Sequence, residues 1–205
     1  MPNPANRPLN RHEPPVMLRE VTIHYLEMTS PADYTPAREP AEPLDFLRAE
    51  QPLPEWNRFF YVAVGQPWHW VDRLPWPREK WLAWVDRPEL ETWAAYARGT
   101  PVGYFELERQ GESNVEVAYF GLLPHFTGRG FGGALLNRAI ERAWEQGTRR
   151  VWLHTCTLDH PRALEFYRKA GFVPYARSTE IADDPRLMGL LARHAAPHVP
   201  VVEGN

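Results

Sequence analysis

VEVAYFGLLPHFTGRGFGG, residues Val115 to Gly133, is the stretch on which the fold of this chain turns. Val115, Val117 and Tyr119 alternate with Glu116, Ala118 and Phe120, the pattern of a mostly buried strand. Pro124 cannot donate to a ladder, so pairing is expected to stop near it. Beyond Thr127-Gly128-Arg129-Gly130-Phe131-Gly132-Gly133, apolar residues recur at helical spacing as Leu135, Leu136, Ala139, Ile140 and Ala143. A helix is therefore expected from about Arg129 to Gln146, with Thr127 as N-cap and Gly147 as the stop.

Glycine at a helix start costs roughly 0.5–1 kcal/mol per residue relative to alanine. Four of them make sense where something approaches the backbone closely. The first-turn N–H groups lack intrahelical partners and the helix dipole favours an anion there. Arg129 adds a cation whose fork matches phosphate. The local chemistry is that of a pyrophosphate cradle; a turn that merely packs a helix on a sheet is the plainer alternative. No Gly-Lys-Ser/Thr follows, so this is not a Walker A loop, and GRGFGG fits the dinucleotide fingerprint only loosely.

The chain's 205 residues suffice for one domain with appendages. A net charge of −3 with scattered basic residues gives no nucleic-acid footprint. One cysteine, Cys156, rules out an internal disulfide and a cysteine-rich zinc site, and no metal is expected. No apolar run reaches the roughly 20 residues of a membrane helix and no leader is visible, so a cytoplasmic protein without a membrane partner is expected. The 22 prolines imply long irregular segments, and the 9 tryptophans suggest aromatic surfaces that line a pocket.

Outward from the central stretch, residues 90–98 and 101–109 read as two strands joined at Gly99-Thr100, making the central strand the third of a meander. Residues 149–156 read as the next strand. Asp159 or His160 caps a helix through Ala170, and 172–181 form a last strand. Residues 1–15 read as a tail, 16–28 as a first strand, and 30–54 as a proline-rich loop with a short turn at Phe46-Leu47. Residues 55–64 fit helix or strand equally; 77–86 read as a short helix, and 184–195 as another before a C-terminal tail. Two strands flanking the glycine-entry helix need a crossover, and the helix N-terminus then faces the C-terminal strand ends, where α/β folds bind ligands.

A second motif, DHPRALEFYRKAGF, spans Asp159 to Phe172 and puts Ala163, Phe166, Tyr167 and Ala170 on one helix face. Together the two motifs resemble the GNAT superfamily of N-acetyltransferases. Its glycine signature, Gln/Arg-x-x-Gly-x-Gly/Ala, is met here by Thr127 to Gly132. Its second signature, Asn-x-x-Ala-x-x-x-Tyr followed by Gly-Phe, is met by His160 to Tyr167 and by Gly171-Phe172. The resemblance covers roughly Leu90 to Ile181. Thr127 stands where Gln or Arg is usual and His160 where Asn is usual, so altered contacts are expected there.

The resemblance implies an α/β (α+β) GNAT fold: a mixed, largely antiparallel sheet of six to seven strands flanked by helices, with a splayed strand pair. One domain is expected over 16–182, with an acceptor-side region at 16–89, a CoA-binding core at 90–182, and a helix and tail at 183–205. Acetyl-CoA or another short acyl-CoA is the implied co-substrate. Its pantetheine arm is expected along Phe120 and Leu122, and its pyrophosphate on Thr127, Gly128, Arg129, Gly130, Phe131, Gly132 and Gly133, with His160 nearby. The acceptor is a primary amine of a small molecule or peptide, and a homodimer is among the implied assemblies. Tyr167 is the implied general acid. The base is open among Glu116, which the family favours directly or through water, Glu106, His154 and a water chain, with His154 reading better as a satisfied core histidine. Cys156 as an acyl-carrying nucleophile is disfavoured for want of a paired base. Tyr61, Trp70 and Glu106 are candidate acceptor contacts within an aromatic set of Phe59, Phe60, Tyr61, Trp68, Trp70 and Trp76, which fits either a pocket or a second small hydrophobic cluster. Asp72 pairs with an amine or with Arg73. A non-catalytic acyl-CoA-binding module and a protein N-terminal or lysine acetyltransferase are the competing functions.

Overall fold

The computed structural model describes residues 18–145 and 147–201; the expected tail at 1–15 lies outside the described residues. Seven strands form one sheet in the order β2-β3-β4-β5-β6-β1-β7. They are β1 (Leu18–Met28), β2 (Asp45–Arg48), β3 (Leu90–Ala97), β4 (Thr100–Gln110), β5 (Asn114–Leu122), β6 (Arg150–Cys156) and β7 (Val173–Asp183). Four helices accompany them: α1 (Pro54–Gly65), α2 (Arg78–Val85), α3 (Phe131–Trp144) and α4 (Ala163–Lys169). Every neighbouring pair is antiparallel except β5 and β6, which the crossover through α3 makes parallel. The mixed, largely antiparallel sheet is thus as expected. No helix among the described residues is long and apolar enough to cross a membrane.

The sheet has helices on both faces. On one, Leu135, Leu136, Ala139 and Ile140 of α3 bury against Phe105 and Leu107 of β4, and Val115 and Val117 of β5. On the other, Phe60 and Val64 of α1 bury against Ala94 of β3 and Tyr104 of β4. This settles residues 55–64: Asn57, Phe60, Tyr61 and Val64 are buried at helical spacing, and Pro54 occupies the first turn, where its missing N–H costs nothing.

Four expectations need correction. The proline-rich stretch contains a true strand, β2, paired with β3 from Asp45↔Tyr96 to Arg48↔Trp93. Residues 184–195 form turns instead of a helix, because Arg186 binds Asp184 and the carbonyls of Ala195, Ala196 and Val199, folding the segment back on itself. Thr127 is not the cap of α3. Its hydroxyl donates to Pro124 O at 2.8 Å, and Gly130, left-handed at φ +83°, occupies the N-cap position without a side-chain bond.

The fourth correction concerns the central strand. The β4–β5 register shifts so that Glu106 faces Tyr119 while Leu107 faces Val117, leaving Ala118 as a bulged residue. The bulge inverts the alternation: Val115 and Val117 join the α3-side core, but Tyr119 packs on the α1 side and Phe120 and Leu122 return to the α3 side. β1 also has an unforeseen place, running antiparallel between β6 and β7 and leaving β7 as the exposed edge.

Candidate active site

β5 and β6 pair only at Asn114↔Arg150, Val115↔Val151 and Glu116↔Trp152, then diverge. From Val117 to Leu122 the edge of β5 that faces away from β4 has no strand partner, and backbone groups there need one. The splay opens into a cavity of about 640 Å³ lined by both strands, the start of α4 and the loop after α1. An extended amide-bearing chain fits that edge as an added strand.

The glycine turn closes one end of the cavity. Gly128 and Gly132 line it, together with Thr127, Phe120 and Leu122. A Cβ on Gly128 would meet nothing within 4 Å, so that backbone is open to an approaching group. Gly133 faces elsewhere: a Cβ there would sit 2.7 Å from Ala37 of the proline-rich segment. That segment is strapped across α3 by Asn137, which accepts from Ala37 N at 2.9 Å and donates to Ala37 O at 2.8 Å. Arg129 does not point freely outward; its guanidinium pairs with Glu42 at 2.5 Å and lies over the buried ring of Phe131. His160 lines the cavity, accepts from Arg162 N through Nδ1 at 3.1 Å and rests against Trp68. This bond makes His160 part of the α4 entry, although the helix itself begins at Ala163.

Tyr167 projects from α4 into the cavity wall, packed edge-on against Phe120 and Phe172. Burial, reinforced by the Asp159 charge, pushes its phenol far above the ordinary tyrosine range. The hydroxyl therefore stays protonated at any working pH. α4 is held against the sheet by its exit: Gly171, at φ +107°, leaves room for Asp33 O, which a Cβ would meet at 2.0 Å.

A splayed parallel pair, a glycine turn at the following helix and a buried tyrosine on the next helix decide the comparison with known proteins. The Acetyltransferase (GNAT) family model matches residues 50–172. The chain belongs to this family. It is similar to an uncharacterised N-acetyltransferase of Methanocaldococcus jannaschii, 32% identical over 112 residues covering 49% of each chain. It also resembles an uncharacterised N-acetyltransferase of Mycobacterium tuberculosis, 38% identical over 74 residues, 36% of this chain and 47% of the relative. The chain spans about half the length of the curated relatives it matches. In fold it resembles a GCN5-related N-acetyltransferase from Kribbella flavida, with a TM-score of 0.58 at 19% identity over 84% of this chain and 62% of that one.

Within this GNAT frame the three base candidates part company. Glu106 is fully buried on β4, accepts from Arg73 Nη1 at 3.1 Å and from Trp84 Nε1 at 2.9 Å, and does not line the cavity. Tyr61 is equally remote; its hydroxyl accepts from Arg73 N at 3.1 Å. Glu116 lies just behind the wall, accepting from Gln110 Nε2 at 2.8 Å and standing 3.5 Å from His154 Nδ1. His154 lines the cavity at the splay with its side chain 47% exposed, so it is not a core histidine. The Glu116 hydrogen bond raises its pKa above the ordinary 6.5 against the opposing effect of burial.

Trp70 lines the cavity and stands edge-on to Tyr119, with ring centroids 4.8 Å apart, whereas Phe60 belongs to the α1-side core. The aromatic set thus divides between pocket and core. Asp159 went unrecognised in the sequence as a cavity residue. It caps the end of β6, accepting from Thr155 Oγ1 at 2.7 Å and Cys156 N at 2.9 Å, and burial raises its pKa. Its position immediately before the tyrosine motif was the available signal. Burial, aided by the Asp159 charge, lifts Cys156 to about 11, so its thiol remains protonated.

Proposed function

We propose that the protein transfers an acetyl or other short acyl group from acyl-CoA directly to a primary amine of a small molecule or peptide, in the cytoplasm. The observation that carries this reading is the Tyr167 hydroxyl, buried in the wall of the splay beside the unpaired edge of β5. The residues present fit the co-substrate: Phe120 and Leu122 offer backbone for the pantetheine, and Gly128, where a Cβ would meet nothing within 4 Å, leaves open backbone at the cavity end for phosphates, with Gly132 also in the lining.

Amines are mostly protonated at neutral pH and must lose a proton to attack. His154, oriented by Glu116, takes that proton at a ring nitrogen and so frees the lone pair that attacks the thioester carbon. As the C–S bond breaks, Tyr167 delivers its proton to the departing sulfur, and the second proton that the nitrogen sheds on becoming an amide restores the phenol. The neutral Cys156 thiol supports direct transfer over an acyl-enzyme route.

The test is thiol release from acetyl-CoA across a panel of amines, with the N-acylated product identified by mass. Stoichiometric thiol and product are expected. Tight acetyl-CoA binding with no thiol released by any amine would make the protein a binding module instead. Parallel initial-velocity lines would replace direct transfer with a ping-pong route.

A further inference from the structure

Glu116 is 9% exposed, and a carboxylate buried to that degree needs partners supplied by the protein. Gln110 Nε2 donates to its Oε2 at 2.8 Å, and His154 Nδ1 stands 3.5 Å from its Oε1. Gln110 is itself held, because Trp152 Nε1 donates to its Oε1 at 3.0 Å. Side chains from three adjacent strands thus form one line, Trp152–Gln110–Glu116–His154.

The sheet places all four on one face. Glu116 is paired with Trp152 across β5 and β6, at the last rung before the splay, and His154 is two residues on from Trp152. Across β4 and β5, Glu116 is paired with Glu108, and Gln110 is two residues on from Glu108. Glu108 is occupied by Arg87 Nη1 at 2.7 Å, which leaves the Gln110 amide to Glu116.

Donor chemistry fixes the direction of the line. An indole nitrogen only donates, so the Gln110 amide presents its oxygen to Trp152 and its nitrogen to Glu116. A carboxylate only accepts, so the ring nitrogen of His154 that faces it carries the proton. The neutral imidazole is then the Nδ1–H tautomer, with its lone pair on Nε2. The other groups around His154 do not set the ring. Tyr25 on β1 lies 6.2 Å away between ring centres, with its hydroxyl on Ser178. Asp159 is engaged by Thr155 and by Cys156 N, and it and Asp72 act on the imidazole through charge alone.

We infer that Gln110, oriented by Trp152, is a positioning residue for acyl transfer: through Glu116 it sets the tautomer in which His154 offers Nε2 as the base. This rests on the reading of His154 as the base given above.

The test reads the His154 ring by heteronuclear NMR of histidine-labelled protein, which separates protonated from lone-pair ring nitrogens, at a pH above the histidine's inflection. His154→Ala assigns the signal. The wild type is expected to show predominantly Nδ1–H. Gln110 lies at the exposed end of β4, so Gln110→Met removes the donor at similar volume with the fold intact. It should move the ring toward the Nε2–H form favoured in water and lower kcat by about fivefold, as one net hydrogen bond warrants, with KM for acetyl-CoA unchanged. Trp152→Phe, which frees the amide to turn, should do the same to a smaller extent. Because Gln110 acts through Glu116, adding Gln110→Met to Glu116→Gln should cost nothing further, whereas an independent structural role would add its full loss. A wild-type ring in the Nε2–H form, a tautomer untouched by Gln110→Met, or additive losses in the double variant would each overturn the inference. A lost tautomer with kcat unchanged would support the hold of Gln110 while removing His154 as the base, so the two failures are distinguishable.

Discussion

Glu106 and Glu116 lie on adjacent strands, both buried and both on the α1 side of the sheet, yet one region is closed and the other poised. Around Glu106, Arg73, Trp84, Trp76 and Tyr119 form a box in which the carboxylate and guanidinium find their partners in each other and in the rings. Around Glu116 the partners are Gln110 and His154, and beyond His154 is the cavity. The two glutamates are indistinguishable by residue type and strand context. What separates them is whether the partner is sealed or faces open space, which the splay of β5 from β6 decides. A buried ion pair such as Arg73–Glu106 orders its surroundings; it holds Tyr119 in the cavity wall and the loop carrying Asp72 in place.

The largest effect should come from the open region. Tyr167→Phe keeps the ring and its packing but removes the proton donor, and kcat should fall by about ten- to ten-thousand-fold, the range of acid–base groups, with folding intact. Steady-state kinetics beside a thermal melt check this; an unchanged kcat would deprive the hydroxyl of its role. Next comes the closed region. Glu106→Leu strands the Arg73 cation among aromatic rings and should cost about 3–5 kcal/mol in denaturant unfolding, as broken buried pairs do. A cost well under 1 kcal/mol would show that the box is not what orders this side of the sheet.

His154→Ala should lower kcat by about a hundredfold. In the wild type His154 must be neutral to accept a proton, and its pKa is raised, so kcat should climb with pH through an inflection above the ordinary 6.5. Glu116→Gln removes the main cause of that rise, and the inflection should move down in pH. If it stays put, the base lies elsewhere. The smallest effect concerns Glu42, which occupies the Arg129 fork at the cradle. Glu42→Gln frees a cation at the phosphate end and should tighten acetyl-CoA by a few-fold, an exposed pair being worth at most about 1 kcal/mol. The gain should shrink with added salt.

The fold was legible because its signals are local. Proline and glycine punctuate the meander, the 3.6-residue period marks α3, and the two motifs bracket one strand. The bulge at Ala118 escaped notice, since Val115 to Phe120 alternates without a break in polarity and only the pairing with β4 reveals the extra residue. β2 stayed hidden because Asp45–Arg48 has four residues and its partner is more than 40 positions away. At the site, the glycine turn was readable from spacing, whereas Tyr167 stood out only through the family resemblance, because helical spacing alone marks it as one more core aromatic. The ranking of Glu116, Glu106 and His154 was not, because it depends on Arg73 and on the strand splay, neither of which leaves a periodic trace.

The most direct measurement is a crystal structure with acetyl-CoA bound. The account expects the pantetheine along β5 at Phe120 and Leu122, the phosphates at Gly128 and Gly132, and the sulfur within hydrogen-bonding reach of the Tyr167 hydroxyl. Density for the cofactor outside the β5–β6 splay, or a sulfur remote from Tyr167, would contradict it.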